Sequence, residues 1–119
     1  MTESNIKVLN SNYSKKEYYE LIDFVALYVN MQEALINKIL ITVINNKYVV
    51  LDCNKKILFS LIEYDDALLD VVVTLAPKKL EIYNILNFKN RELIKTIINI
   101  FKERVDIYNE ELTLFWYKT

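Results

Sequence analysis

Hydrophobic positions recur with two different periods along this chain, and each period predicts a type of element. Behind a capping-box pattern at Ser14–Glu17, apolar residues return every three to four positions, at Tyr18, Leu21, Ile22, Val25, Tyr28 and Val29. That spacing puts them on one face of a helix. We predict this helix from about residue 15 to residue 30, with "MQEALI" a good enough helix former to extend it to Ile36.

From Lys38 the pattern changes to runs of β-branched residues. The segments "KILITVI", "KYVVLD" and "ILFSLIE" are separated by "NN" and "CNKK". Asn tolerates the left-handed backbone region better than other non-glycine residues, so Asn45-Asn46 fits a two-residue hairpin turn. The sequence therefore predicts a three-stranded antiparallel meander.

The stretch "DDALLDVVVTLAP" fits two elements. Asp65 could cap a short helix that ends at Pro77, but Val71-Val72-Val73-Thr74 favours a strand, and we predict a strand at about 68–75. "KLEIYNIL" alternates sufficiently to be a further strand.

A second helix follows, capped by Asn87 or Asn90 and stopped near Asn109. Its apolar stripe falls at helical offsets and consists of Ile94, Ile97, Ile98, Phe101, Val105 and Tyr108. "ELTLFWYK" then reads as a last strand. The whole pattern predicts an α+β fold, an antiparallel sheet of about four to six strands with two amphipathic helices packed on one face. We predict a single domain over residues 1–119, with residues 1–13 a loose N-terminal segment.

Period-two alternation assigns the strand residues to two faces of the sheet. One set, predicted to face the helices, is Ile41, Val43, Val49, Leu51, Ile57, Phe59, Leu112, Leu114 and Trp116. The alternate set includes Thr42, Ser60, Thr74, Tyr83, Thr113, Phe115 and Tyr117. A face of mixed polar and aromatic residues is typical of a protein interface, although Tyr and Thr also have high strand propensity.

The amino-acid composition limits the kinds of function that this protein can have. Hydrophobic residues make up 53% of the chain, which is ample for an ordered core. Lys and Arg number 15 against 16 Asp and Glu, so the basic footprint usual for duplex binding is absent. Ile, Lys, Asn and Tyr, whose codons are A/T-rich, account for 50 of 119 residues and suggest an A/T-rich genome. The polar opening "MTESNIKVLNSNYSKKEYYE" has no apolar signal region, so we expect a cytoplasmic location, or the host cytoplasm for a viral protein.

Missing residue types exclude several chemistries. Without His there is no Ser-His or Cys-His nucleophile pair and no imidazole base. A single Cys with no His cannot build a zinc site or an internal disulfide. Zero Gly excludes the glycine-rich phosphate loops. We therefore predict that the protein is not an enzyme and that it uses no cofactor and no metal.

An acidic cluster and the single cysteine are the two features that could still support catalysis. The densest acidic cluster, Glu63, Asp65, Asp66 and Asp70, fits a solvated turn and element start better than a metal-dependent nuclease centre. Cys53 lies in the predicted turn "LDCNKK" and, without a His partner, is better explained as incidental than as a nucleophile.

The predicted partner-binding residues fall in two places. Tyr83, Thr113, Phe115 and Tyr117 belong to the alternate face of the sheet, while Trp116 is assigned to the core. Tyr18 and Tyr19 belong to the "YSKKEYY" corner, where Tyr13 and these two surround Lys15 and Lys16 and resemble a stacking surface for single-stranded nucleic acid.

The leading hypothesis is a small non-catalytic protein-binding module. Bare single domains of this size are often inhibitors or immunity proteins that occlude a larger partner, and a phage- or mobile-element-type anti-defence protein (anti-CRISPR-like) belongs to that class. The alternative is a nucleic-acid-binding or nucleoprotein-associated regulator that uses the Lys/Tyr surface. A structural or oligomeric assembly protein comes third. No motif here is diagnostic of a known family.

Overall fold

The computed structural model describes residues 15–112, which form an α+β fold of three α-helices and one five-stranded sheet. The helices are α1, Lys15–Met31; α2, Asp65–Leu75; and α3, Arg91–Phe101. The strands are β1, Lys38–Ile44; β2, Lys47–Asp52; β3, Ile57–Ile62; β4, Lys79–Ile82; and β5, Val105–Ile107. The α+β class and the number of strands confirm the prediction from sequence.

The predicted meander is present as β1, β2 and β3, which pair antiparallel. Asn45 and Asn46 both adopt positive φ, 52° and 65°, as a two-residue hairpin turn that follows the strand twist requires. At the next turn the Asp52 carboxylate accepts the backbone N–H groups of Asn54 and Lys56, at 2.8 and 3.0 Å. The residues of the two turns therefore stabilise the connections between β1, β2 and β3.

The other half of the sheet pairs differently from the prediction. The strand order is β3-β2-β1-β4-β5, and β4 pairs parallel with both β1 and β5. A parallel neighbour needs a long crossover connection, and α3 supplies it between β4 and β5. The predicted antiparallel arrangement thus holds for the meander only.

The predicted strand at 68–75 is wrong, because this stretch belongs to α2. Its buried residues, Leu68, Leu69, Val72 and Val73, follow helical and not alternating spacing. Packing of that face on the core outweighs the strand propensity of the valines. The helix ends where Ala76 turns left-handed, at φ 42°, immediately before Pro77.

Both predicted helices exist but are shorter than their longest predicted extents. The first begins at Lys15 as expected and ends at Met31, well before Ile36. In α3 the side chain of Asn90 accepts the Glu92 N–H at 3.0 Å, which identifies Asn90 and not Asn87 as the cap.

The second predicted helix ends at Phe101 and not near Asn109, so it contains only part of the predicted apolar stripe. Lys102 takes φ 54° and ψ −121° and ends the helix. Val105 then enters β5, so it and Tyr108 lie outside the helix they were assigned to. The segment "ELTLFWYK" lies almost wholly outside the described residues.

All three helices cover one face of the sheet. Their buried side chains share a core with Ile39, Ile41, Val50, Leu80 and Ile82 of the strands. A second, smaller apolar cluster lies on the opposite face and consists of Leu40, Val49, Leu51 and Leu112, with Ile57 packed against it.

The predicted inward-facing set is therefore partly wrong. Ile41 and Val43 do face the helices, but Val49, Leu51, Ile57 and Leu112 contact the opposite cluster. The cause is the two-residue turn, which pairs Ile41 with Val50 and not with Val49. Directly opposed residues share a face, so a one-residue error moves the whole of β2 to the other side. Phe59, also assigned inward, is nearly half exposed.

Candidate protein-binding surface

In the tyrosine corner predicted at the start of α1, the two described tyrosines differ in their contacts. Tyr18 is half-buried, and its hydroxyl is hydrogen-bonded to the Thr96 hydroxyl of α3. Its ring meets Tyr19 edge-to-face, with centroids 5.6 Å apart. Tyr18 thus ties α1 to α3, while the exposed Tyr19 is the accessible member of the pair.

Tyr83 lies on the face of the sheet opposite the helices, beside the smaller apolar cluster. Its hydroxyl donates to the Glu81 carboxylate at 2.7 Å, and its ring stacks on Tyr108 with centroids 4.7 Å apart. Lys38 also forms an ion pair with Glu81, at 3.1 Å. Burial, followed by the contact with Glu81, raises the pKa of Tyr83 above its ordinary value. The Tyr83 hydroxyl is therefore engaged within the fold.

The predicted binding residues within residues 15–112 do not share one surface. Tyr18 and Tyr19 are on a helix, and Tyr83 is on the far side of the sheet. Thr113, Phe115 and Tyr117, like Trp116, lie outside the described residues.

The acidic cluster also makes contacts within the fold. The two oxygens of Asp65 accept from Tyr48, at 2.5 Å, and from the Asn90 side-chain amide, at 2.8 Å. Burial, with the Asp65 hydrogen bond second, raises the pKa of Tyr48. Glu63 pairs with Lys47, and the hydrogen bond from that ammonium holds the pKa of Glu63 below its usual value. These contacts link the meander to the N-terminal ends of α2 and α3.

Within residues 15–112 no three carboxylate or thiol groups converge as metal ligands would. Cys53 is an exposed thiol in the turn after β2. That the protein is not an enzyme stays a prediction.

An apolar stripe on the outer side of α1 is the feature that sequence reasoning missed. Phe24, Leu27 and Met31 follow one another at helical spacing and are 61%, 58% and 76% exposed. At about 100° per residue they fall within about 60° of one another on the helix. We call these three residues the outer stripe.

The outer stripe lies opposite the buried face of the same helix. That buried face consists of Ile22, Val25, Ala26 and Val29. A surface helix is normally apolar on one side and polar on the other, whereas α1 is apolar on both. The signal was present in the sequence, because Phe24, Leu27 and Met31 repeat at the spacing of the predicted stripe but half a turn away from it.

A groove borders the outer stripe on one flank, between α1 and α3. It has a volume of about 320 Å³ and is lined by Tyr19, Ile22, Asp23, Ile98, Asn99 and Lys102. Of the predicted binding residues that the structure describes, Tyr19 is the exposed one that lines this groove.

A second apolar groove, of about 370 Å³, lies at the hairpin end of the opposite sheet face. Ile44, Val49 and Ile57 line it together with Leu61. Val49 is itself buried, and Leu112 packs on the adjoining strand residues. Of its four apolar lining residues only Leu61 is exposed, whereas all three residues of the outer stripe are exposed.

A family model described as the YtxC-like family matches residues 5–106, and the chain belongs to this family. No curated protein and no solved structure matches the chain. Among the helices of the described residues, none has the length and apolar character needed to span a membrane. Family membership adds no site residue to the geometry above.

Proposed function

We propose that this chain is a non-catalytic protein-binding domain that docks on another protein through the outer stripe of α1. The observation that supports this proposal is that α1 has apolar residues on both sides. Those on the side facing the core are buried, whereas those on the outer side are exposed to solvent. Phe, Leu and Met side chains gain about 25 cal/mol for each Å² of apolar surface removed from water. Three such side chains in a row are a patch on the order of several hundred Å², the size that marks functional patches on monomers.

The residue types fit this role. Aromatic residues and Met are enriched in the buried centre of protein interfaces, and Met adapts its shape to irregular partners. The stripe is held on a rigid element, because α1 is fixed by its buried face and by the Tyr18–Thr96 contact. Arg104 fixes the other end of the helix by donating to the Asn30 side chain at 2.9 Å. A preorganised surface binds with less loss of conformational entropy.

The finer expectation is that the bound protein is larger and is occluded, as by an inhibitor, an anti-defence protein or an immunity protein acting in the cytoplasm. Small size and the lack of His and Gly support a role that needs contact and no chemistry. The nucleic-acid alternative depends on Lys15, Lys16 and Tyr19 at the start of α1. Glu17 and Glu20 adjoin those lysines, which weakens attraction to phosphate.

The test is capture of partners by the tagged protein in cells of its source organism. We compare the natural chain with Leu27→Ser and with Leu86→Ser. Leu86 is a matched control, because it is 70% exposed but lies in the short 3₁₀ turn Ile85–Asn87 and outside the stripe.

The proposal predicts that one or more proteins co-purify at about 0.5 M salt with the natural chain and with Leu86→Ser. Leu27→Ser should lose at least about nine-tenths of them, as expected for a central apolar contact. Capture that survives Leu27→Ser would refute the stripe as the binding surface. Capture that depends on nucleic acid and disappears at that salt concentration would favour the nucleic-acid alternative.

A further inference from the structure

Beyond its first two residues, α1 carries charges of one sign. Between Glu17 and Asn37 the chain has four acidic residues and neither Lys nor Arg; the acidic residues are Glu17, Glu20, Asp23 and Glu33. Glu20 lies one turn before Phe24, in line with the stripe, and Asp23 lies on its flank. Both are exposed, and neither forms a salt bridge with another described residue.

Basic residues lie only at the edges of this surface. Lys102 lies across the groove between α1 and α3, and Arg104 lies near the end of α1. The guanidinium of Arg104 is already engaged, since it donates to Asn30 and to the Pro77 carbonyl. Lys15 and Lys16 are confined to the first turn of the helix.

The shape of the surface fits a helix. The outer stripe is straight and three side chains long, and the groove beside it runs between two packed helices. A straight row of exposed apolar side chains at helical spacing can be covered by the apolar face of another helix, and amphipathic helices are commonly recognised in this way.

We propose that the partner presents an amphipathic α-helix whose apolar face covers the outer stripe and whose polar border carries Lys or Arg opposite Glu20 and Asp23. This inference rests on the proposed function, since it names the chemistry of the bound segment. A second copy of this chain is a poorer fit. In an antiparallel pair of α1 helices centred on Leu27, Glu20 and Asp23 would find no Lys or Arg opposite them on the other helix, because residues 17–37 contain none.

Two synthetic 18-residue helical peptides test this inference directly. Both carry leucines at the same positions i, i+3, i+4 and i+7, and their polar positions are all lysine in one and all glutamate in the other. A scrambled lysine peptide of the same composition controls for net charge. Binding to the full chain is measured by fluorescence anisotropy at about 0.1 M salt, near physiological ionic strength.

We expect the patterned lysine peptide to bind at least roughly tenfold more tightly than the glutamate peptide, from a few rim ion pairs acting together. The double variant Glu20→Lys/Asp23→Lys should remove or reverse that preference. Leu27→Ser should weaken binding of the lysine peptide at least roughly tenfold, whereas Leu86→Ser should leave it unchanged.

Three results would overturn the inference: equal binding of both patterned peptides, binding of neither, or equal binding of the scrambled peptide. The inference would also be overturned if the natural chain formed a dimer in analytical ultracentrifugation and Leu27→Ser dissociated it. The outer stripe would then be covered by a second copy of the chain. If Leu27-dependent capture from cells persists while the peptides show no preference, the proposed function stands and only the basic helix is refuted.

Discussion

At the scale of single residues, neighbours that look alike in the sequence differ in what they contribute. Ile97 and Ile98 both belong to the apolar stripe predicted for the second helix. In the structure Ile97 is fully buried, whereas Ile98 is only partly buried and lines the groove beside α1. Periodicity identifies the apolar side of a helix, but it cannot tell the centre of that side from its edge, because the edge depends on which neighbours pack there.

This difference has a measurable consequence for stability. Ile97→Ala should lower the free energy of unfolding by about 2–5 kcal/mol. Phe101→Ala should lower it by a similar amount, because Phe101 is also buried. Ile98→Ala should cost less than either, about 1–2 kcal/mol, since part of its surface already contacts water. Urea denaturation checks this order. An equal or larger loss at Ile98 would mean that α3 is rotated relative to the core.

Tyr48 and Asp65 predict a dependence on pH. Burial and the hydrogen bond to Asp65 raise the pKa of Tyr48 above the value of about 10 that it has in the unfolded chain. Its contribution to stability is therefore fully present below about pH 10 and is lost as pH rises toward the higher folded-state pKa.

Tyr48→Phe should thus be less stable than the natural chain by about 1–2 kcal/mol at pH 7, because Asp65 loses a hydrogen bond. The difference between the two proteins should shrink above about pH 10. Denaturation at pH 7, 9 and 11 measures it. A constant difference over this range would show that the hydroxyl is not held as the structure indicates.

At the scale of elements, a chain without glycine must turn with other residues. Seven non-glycine residues in the described region have positive φ, and three of them are Asn45, Asn46 and Asn84. Asn is the residue that tolerates this region best after Gly. Lys102 is in a strained conformation, since its φ of 54° with ψ of −121° lies outside the left-handed helical region.

Lys102→Gly should therefore stabilise the protein, by about 0.5–1.5 kcal/mol, because it removes backbone strain at an exposed position. Lys95→Gly is the matched control within α3, and it should destabilise by about 1 kcal/mol. Thermal unfolding of both variants checks the prediction. If Lys102→Gly lowers the melting temperature, the helix does not end in the conformation described.

The same scale shows what the sequence could predict. The meander and the cap of α3 were predictable, because two-residue turns and Asn caps leave local signals. The identity of α2 was not, since valine propensity favours a strand and the decision came from packing with distant residues such as Tyr48. The faces of β2 could have been assigned correctly from the turn length alone, because a two-residue turn fixes which residues are opposite.

At the scale of the whole molecule, the parallel pairing of β4 and the binding surface escaped sequence reasoning for different reasons. Nothing local encodes which strand β4 joins, since its partner β1 is about 40 residues earlier in the chain. The outer stripe was visible as a second apolar period in the first helix, but one stripe is enough for a helix of a small domain. A second stripe becomes meaningful only when the first is seen to pack against the rest of the fold.

Photo-crosslinking inside cells of the source organism tests the binding surface most directly. Phe24 and Phe59 are each replaced in turn by p-benzoylphenylalanine. Phe59 is the control, because it is an exposed Phe on β3, away from α1. Either ring is expected to tolerate the larger substituent, since neither is buried in the core. A crosslink to another protein from position 24 and none from position 59 is the predicted result. Crosslinks from position 59 alone, or none from position 24, would contradict a partner bound at the outer stripe.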